Sequence, residues 1–446
     1  MFQRAAALLL ALVATREDAR KKYLPDLVKS CVAVIEDCTD TGSDSTKLLG
    51  SLHLLVAILK EGKREDLLVL VDTILKALQR SAVLRHSDLV VKKQAVKVAQ
   101  RLGLVFLRPV FAKWRYDRGH RCLATTSLKT GTDEQGPVEC VKTDDDDTAD
   151  DEDYAVAHAE FAKWRYDRGH RCLAPTGLKA GTDEQGPVEC VKTNDDDTAD
   201  DEDYAVAHAE LCMNLSFRFF LQLETVLRML LDALRDCGTN LRWTSAKGIG
   251  RIVSRLPKHF ANDVLNSIIK FNFDPHSGNA AWHGGCLAIA ELCRRGFLPL
   301  ERLTDVVGVT RKALVFEEQQ GRYSVGANVR DAACYICWSL ARTLRPSDLK
   351  DFMEQIATSL VCAALFDREV NVRRAASAAF QENVGRQGTF PNGIEILTKI
   401  DYFAVGQRNR TYLEIPSQIV QYRLYVRPII EHLIDFKVDY FHHNLK

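Results

Sequence analysis

The sequence predicts an all-α fold class, a helical solenoid interrupted by an acidic, disordered linker. Three observations predict it. Apolar residues recur at three- and four-residue spacing in both flanks, a short motif of polar then small residues recurs in the second half, and prolines punctuate that half at regular points. Period-2 alternation is nowhere sustained, so no sheet is expected.

Taken in order, Met1–Arg4 followed by the apolar run Ala5–Ala14 imitates a secretory signal. Nothing downstream has a secreted character, so the segment reads as an ordinary buried helix running on through Thr15 and Asp18–Lys22. No segment approaches the roughly 20 apolar residues of a spanning helix, and no integral membrane segment is expected. Leu48–Leu59, Leu67–Leu78 and Leu89–Leu104 are amphipathic helices, separated by polar breaks such as Glu61–Asp66 and Arg85–Asp88.

Residues 111–160 and 161–210 form a tandem duplication that differs at four positions only: Thr125/Pro175, Ser127/Gly177, Thr130/Ala180 and Asp144/Asn194. Each copy opens on a basic aromatic stretch, Phe111–Arg118 or its twin from Phe161, and runs to an acidic tract, Asp144–Asp153 or Asp195–Asp203. Solenoid repeats share a pattern rather than a sequence, so this near-identity marks a recent local duplication or a fault in the gene model. The expected organisation is therefore helical repeats over 1–110, a largely disordered basic/acidic linker over 111–210, and a helical array over 211–446.

Within that array Leu241–Arg251, Ala281–Glu291, Val329–Trp338 and Val372–Gln381 share one layout. Taking Trp243, Trp282, Asp331 and Arg374 as equivalent, the spacings are 39, 49 and 43 residues, around the roughly 40–47 of HEAT and armadillo units. Small residues at Ala246, Gly285, Ala333 and Ala376 would let neighbouring helices approach closely. Partner helices are expected near Asp263–Phe271, Val306–Phe316 and Leu349–Leu365. Pro257, Pro299, Pro346 and Pro391 fall where a helix stop is needed.

Composition agrees with this class. With 46% hydrophobic and 27% charged residues over 446 positions, the chain is too apolar to be disordered and too interrupted to be a membrane protein. Its thirteen cysteines are an odd, scattered set, and Cys286, Cys293, Cys334, Cys337 and Cys362 sit in apolar helical runs as small hydrophobes, which suits a reducing cytosol.

The candidate chemistry is thin. Cys334 and Cys337 have C-x-x-C spacing, but no second pair completes a zinc site and no βαβ context supports a redox motif, so they read as core. The tract Asp144–Asp153 lacks the glycine and terminal glutamate of a calcium loop and reads as a solvated linker. Trp114–Arg118 interleaves aromatic and basic residues but adjoins an acidic tract that would repel phosphates, so no nucleic acid is expected. His283 reads as a satisfied core histidine. No catalytic residue, cofactor site or metal site is expected, and nothing argues for an enzyme.

Function enters through resemblance. Arg242–Arg251, Ala281–Leu292, Asn328–Trp338, Arg373–Pro391 and Asp401–Gly406 are similar to the tubulin-folding cofactor D family, as are Gly62–Asp66, Gln100–Leu104 and Trp114–Gly119 upstream. The resemblance covers about residues 15–120 and 224–435. It implies an interior portion of a longer protein, truncated at the C-terminus and lacking some N-terminal repeats. The chain departs from the family pattern in carrying two linker copies rather than one, and Leu211–Gln222 looks foreign.

The resemblance implies a HEAT-repeat chaperone, non-catalytic itself, that captures β-tubulin and assembles the αβ heterodimer. Its implied partners are tubulin-folding cofactors C and E and an Arf-like small GTPase, with stimulation of tubulin GTP hydrolysis whose catalytic arginine belongs to cofactor C. The implied location is the cytoplasm and microtubule cytoskeleton, with the centrosome. A generic HEAT-repeat adaptor without tubulin specificity is the alternative. Partner-binding candidates, read as exposed on the motif helices, are Arg242, Lys247, Arg251, Arg330, Arg373, Arg374 and Arg386, several of which could instead cap or bridge to a neighbouring repeat.

Charge supports a basic surface. The formal net charge of zero, from 60 basic and 60 acidic residues, is a cancellation: residues 111–210 carry −13 and the remainder +13. A basic helical array suits an acidic partner by electrostatic complementarity.

Overall fold

The three- and four-residue apolar spacing becomes helix almost throughout a computed structural model that describes residues 2–38, 45–108, 217–274, 276–388 and 390–438. The linker expected over 111–210, with its duplicated basic and acidic tracts, lies outside these residues. In the first part α1 (Phe2–Ala14), α2 (Arg20–Glu36), α3 (Ser45–Glu61), α4 (Arg64–Leu68), α5 (Val71–Arg80) and α6 (Leu89–Phe106) follow one another. The polar break before α6 is used as a cap, with the Asp88 carboxylate accepting from the Val90 amide at 2.7 Å.

The N-terminal helix differs from expectation. It stops at Ala14 instead of running through to Lys22, and a turn leads into α2. Its buried face is Ala7, Ala11 and Ala14, packed on α3, while Leu8, Leu9, Leu10, Leu12 and Val13 are exposed. Alanines at four- and three-residue spacing let the two backbones approach, and this turns the larger side chains outward.

After α6 come α7 (Phe217–Ala233), α8 (Thr239–Val253), α9 (Lys258–Asn272), α10 (Asn279–Arg294) and α11 (Leu303–Leu314). A short antiparallel hairpin, β1 (Glu318–Gln320) and β2 (Tyr323–Val325), precedes α12 (Ala327–Thr343), α13 (Pro346–Leu349), α14 (Met353–Phe366) and α15 (Val370–Gln387). The chain closes with α16 (Gly393–Leu397), α17 (Ile415–Ile419) and α18 (Arg423–Leu433). The hairpin is a strand element that sequence reading missed. Three residues per strand are too few to show a period of two.

Two layers result. Helices α1, α3, α6, α8, α10, α12 and α15 pack each on the next as a ladder, α2, α5, α7, α9, α11 and α14 pack against it, and α18 packs on α14. The ladder runs without a break from α6 into α8. Across that junction Gln222 Nε2 donates to Asp72 Oδ1 at 2.7 Å, Lys92 pairs with Asp236 at 2.9 Å, and Arg255 donates to the Leu104 carbonyl at 3.2 Å. Of the stretch Leu211–Gln222, which looked foreign, the described part from Phe217 forms the first turns of α7, and Gln222 supplies a contact to α5.

Small residues do what the spacing predicts. Ala246, Ala333 and Ala376 are fully buried, and a Cβ on Gly285 would come within 2.7 Å of Asn272 and the Phe273 ring. The closest approach is at the neighbouring Gly284, where a Cβ would lie 1.9 Å from the Leu234 carbonyl oxygen. Here α10 meets the end of α7 backbone to backbone.

The prolines open companion helices as much as they stop ladder helices. Pro257 is the N-cap of α9, Pro299 precedes the 3-10 turn that leads into α11, and Pro346 is the first residue of α13. A residue without an N–H is harmless at that position, where the amide would have no helical partner.

Cys286, Cys293, Cys334, Cys337 and Cys362 are buried free thiols, as core packing requires. Burial pushes the Cys337 thiol up to about 12, so it stays protonated and inert. Among the described residues no cluster of His, Cys, Asp or Glu could hold a metal ion, and no helix is long and apolar enough to cross a membrane.

Candidate partner-binding surface

Five of the ladder helices, α6, α8, α10, α12 and α15, share a start that fixes where their charges go. Lys92, Arg242, Trp282, Arg330 and Arg373 are each the fourth residue after the N-cap, and each backbone amide donates to the cap carbonyl: Asp88, Gly238, Gly278, Gly326 and Glu369 respectively. This corrects the sequence register. Trp282 aligns with Arg242, Arg330 and Arg373, not with Trp243, and successive caps from Gly238 are 40, 48 and 43 residues apart. The 48-residue step contains the hairpin.

Three of the arginines expected on the surface are buried, and each ties its own loop to the next repeat. Arg242 donates from Nη1 to the Asp236 and Cys237 carbonyls at 2.7 and 2.9 Å, and from Nε to Nδ1 of His283 at 2.8 Å. His283 is accordingly a satisfied core histidine. Arg330 donates to the Phe316 carbonyl at 2.9 Å and forms a two-pronged pair with Asp367. Arg373 donates to the carbonyls of Asp367, Arg368, Val405 and Gly406 at 2.8–3.2 Å. The planar five-donor guanidinium suits this work, because the orphan carbonyls of a loop and an acceptor one repeat away lie within its fork.

Trp282 takes the same position without charge. Its ring packs edge-on to Phe273 and tilted against Phe316, both at 5.0 Å between centroids. The cap before Arg330 is Gly326, whose φ of 142° only glycine adopts readily and where a Cβ would come within 2.5 Å of the Phe316 carbonyl.

The other four candidates, Lys247, Arg251, Arg374 and Arg386, are half-buried. Arg374 stacks on the Tyr402 ring at 4.4 Å. Lys247, Arg251 and Arg386 belong to a second feature, a continuous patch across α8, α10, α12 and α15. Trp243 lies 5.8 Å from Tyr335, and Tyr335 lies 5.8 Å from Trp338. Arg342 stands over Trp338 at 4.5 Å and reaches Glu382 at 3.6 Å, and Glu382 also pairs with Arg386.

At the centre of the patch sits Glu291, wholly buried, with Arg294 and Arg295 at 3.5 Å and the Tyr335 hydroxyl donating to it at 3.2 Å. Burial by itself pushes this carboxyl up, but the charges of Arg294, Arg295 and Lys247 and the tyrosine hydrogen bond outweigh it and bring it down to about 2. It is an anion at every ordinary pH.

Sequence reasoning picked out Lys247, Arg251 and Arg386 from this patch and missed Glu291, Arg294, Trp338 and Arg342. The signal was present in Trp338 and Arg342, an aromatic and a cation at i and i+4. Glu291 shows the same kind of signal in Arg294 and Arg295 at i+3 and i+4, but its burial does not show, since its partner Tyr335 on α12 lies 44 residues away in sequence.

Comparison with known proteins follows the same lines. The family model described as tubulin-specific chaperone D-like, ARM repeats, matches residues 90–161 and 154–394. The chain is 48% identical over 212 residues to a tubulin-specific chaperone D of Dictyostelium discoideum, a match that covers 46% of this chain and 14% of the relative. It is 29% identical over 213 residues to a tubulin-folding cofactor D of Schizosaccharomyces pombe, covering 45% of this chain and 19% of that one. Among solved structures, the karyopherin Kap121p bound to the extreme C-terminus of the protein phosphatase Cdc14p superposes with a TM-score of 0.40 and 12% identity, over 93% of this chain and 35% of that one.

Proposed function

Because the chain belongs to the tubulin-specific chaperone D-like family of armadillo-repeat proteins, we propose that it serves tubulin folding as a non-catalytic scaffold that binds β-tubulin. The family match, over most of the described ladder, is the observation that supports this reading. The matches span under a fifth of the relatives' own lengths, and the activity of a whole protein is proposed here for the part this chain represents.

The mechanism follows from the architecture. A solenoid offers an extended surface on which a large client is held by many modest contacts, and its shape is set by the repeat interfaces. The buried arginine bridges fix those interfaces. Lys247, Arg251, Arg374 and Arg386 are half-buried, and in this reading they are the part of the expected partner-binding set that contacts the client.

In this reading the chain works in the cytoplasm, at the microtubule cytoskeleton and centrosome, beside tubulin-folding cofactors C and E and an Arf-like small GTPase. It supplies binding surface to an assembly that stimulates GTP hydrolysis by tubulin, and it contributes no catalytic group. The test is co-purification. The tagged full chain is expected to retain β-tubulin from a cytosolic extract, and recovery of none, where the Dictyostelium discoideum relative retains it, overturns the reading.

A further inference from the structure

The aromatic and cationic patch across α8, α10, α12 and α15 has an asymmetry that points to its ligand. Its two carboxylates, Glu291 and Glu382, have side chains 0% and 1% exposed. The cations laid over them remain at the surface, Arg294 at 25%, Arg342 at 38% and Arg386 at 23%. Anything that reaches the patch meets positive charge and aromatic faces, with the negative charge underneath and already paired.

The spacing also has a direction. Trp243, Tyr335 and Trp338 follow one another in steps of 5.8 Å, and Arg342 is held over the last ring at 4.5 Å. Tyr335 is itself buried, so the half-buried Trp243 and Trp338 on either side of it present the rings. Two rings flanked by cations suit an extended chain, whose side chains alternate between two faces at a rise of about 3.3 Å per residue. Tryptophan and arginine are also the residues that most often dominate binding energy at protein interfaces.

We infer that this patch binds an extended acidic segment of a partner polypeptide, with its carboxylates on Lys247, Arg251, Arg294 and Arg342 and its apolar side chains against Trp243 and Trp338. The inference rests on the scaffold reading and deepens it by naming the chemistry of the client segment. Single-stranded nucleic acid is the other polymer that uses rings and cations. The observations favour polypeptide, because the patch offers only a handful of cations, and phosphate backbones depend on many at once.

The test is fluorescence anisotropy on the full chain with labelled deca-glutamate at low salt, beside an oligothymidylate of equal length. Deca-glutamate is expected to bind saturably and to be displaced by salt. The Lys247→Gln/Arg251→Gln double variant is expected to weaken it about fivefold, as for two surface ion pairs. Arg342→Gln should weaken it as well, which keeps the test decisive if the double variant folds poorly. Arg322→Gln, on the hairpin tip, should leave it unchanged. Absence of saturable binding, equal affinity in the patch variants, or tighter binding of the oligothymidylate overturns the inference. Retention of β-tubulin together with no peptide binding would remove this inference and leave the scaffold reading standing.

Discussion

Arg330 on α12 and Asp367 before α15, 37 residues apart, form a two-pronged ion pair whose side chains are 4% and 5% exposed. The same guanidinium holds the Phe316 carbonyl behind it, so one side chain joins three points of two repeats. A buried pair of this kind adds little net stability compared with apolar packing, but losing one member strands a charge. Arg330→Met is therefore expected to destabilise the array by about 3–5 kcal/mol in urea denaturation followed by circular dichroism. Arg330→Met/Asp367→Asn should recover much of that loss. A cost of the single variant below about 1 kcal/mol would mean that Asp367 finds water or another partner.

Backbone contact between α10 and α7 gives a second expectation. Gly284→Ala sets a methyl group 1.9 Å from the Leu234 carbonyl oxygen, which cannot move without shifting the end of α7. Overpacking of this kind costs about 1–3 kcal/mol, and backbone on the receiving side puts the expected value at the upper end. Gly308→Ala on α11 is the control. It meets nothing within 4 Å, is at an exposed position of the helix, and should stabilise by up to about 1 kcal/mol through helix propensity. Thermal melts of the two variants should move in opposite directions.

Acid should loosen the patch at Glu291. Its folded pKa, about 2, lies below the ordinary 4.5, so the stability it contributes is fully present above about pH 4.5 and is lost as the pH falls from there towards 2. Glu291→Gln removes that dependence and also leaves Arg294 and Arg295 without their anion. The variant is expected to be less stable than the parent at pH 7 and to lose less on acidification from pH 4.5 to pH 3. Parallel loss in both proteins would show that other carboxylates set the acid limit.

Much of the fold was legible in the sequence, and the reasons are local. Leu48–Leu59 and Leu89–Leu104 declare their helices by spacing, and Pro257, Pro299 and Pro346 mark the breaks between layers. What could not be read depends on a neighbour one repeat away. Arg242, Arg330 and Arg373 look like surface charges because arginine is usually exposed, and only the carbonyls and carboxylate facing them, fixed by the packing of consecutive repeats, turn them into buried bridges. Glu291 is hidden for the same reason, since its burial depends on Tyr335 and Lys247 arriving from two other helices. Trp243 and Trp282 misled the register because a shared residue type stood in for a shared position, which the caps at Gly238 and Gly278 reveal.

The unbroken ladder from α6 to α8 carries a last expectation about the duplication. If Lys92–Asp236, Gln222–Asp72 and Arg255 on the Leu104 carbonyl join the flanks directly, the chain between Arg108 and Phe217 acts on stability mainly through the entropy of closing a loop. That chain is 108 residues long, and excision of residues 161–210 leaves 58. Closure entropy changes by about 0.6 kcal/mol for each twofold change in length, in favour of the shorter loop. The deletion protein is therefore expected to melt at or slightly above the temperature of the full chain, and to keep the Trp243–Tyr335–Trp338 patch intact. A fall of several degrees would mean that the second copy contributes contacts to the array. An unchanged melt would mean that the deletion alters only charge, raising the net from zero to +6 and favouring any acidic partner through the long-range field of the whole chain.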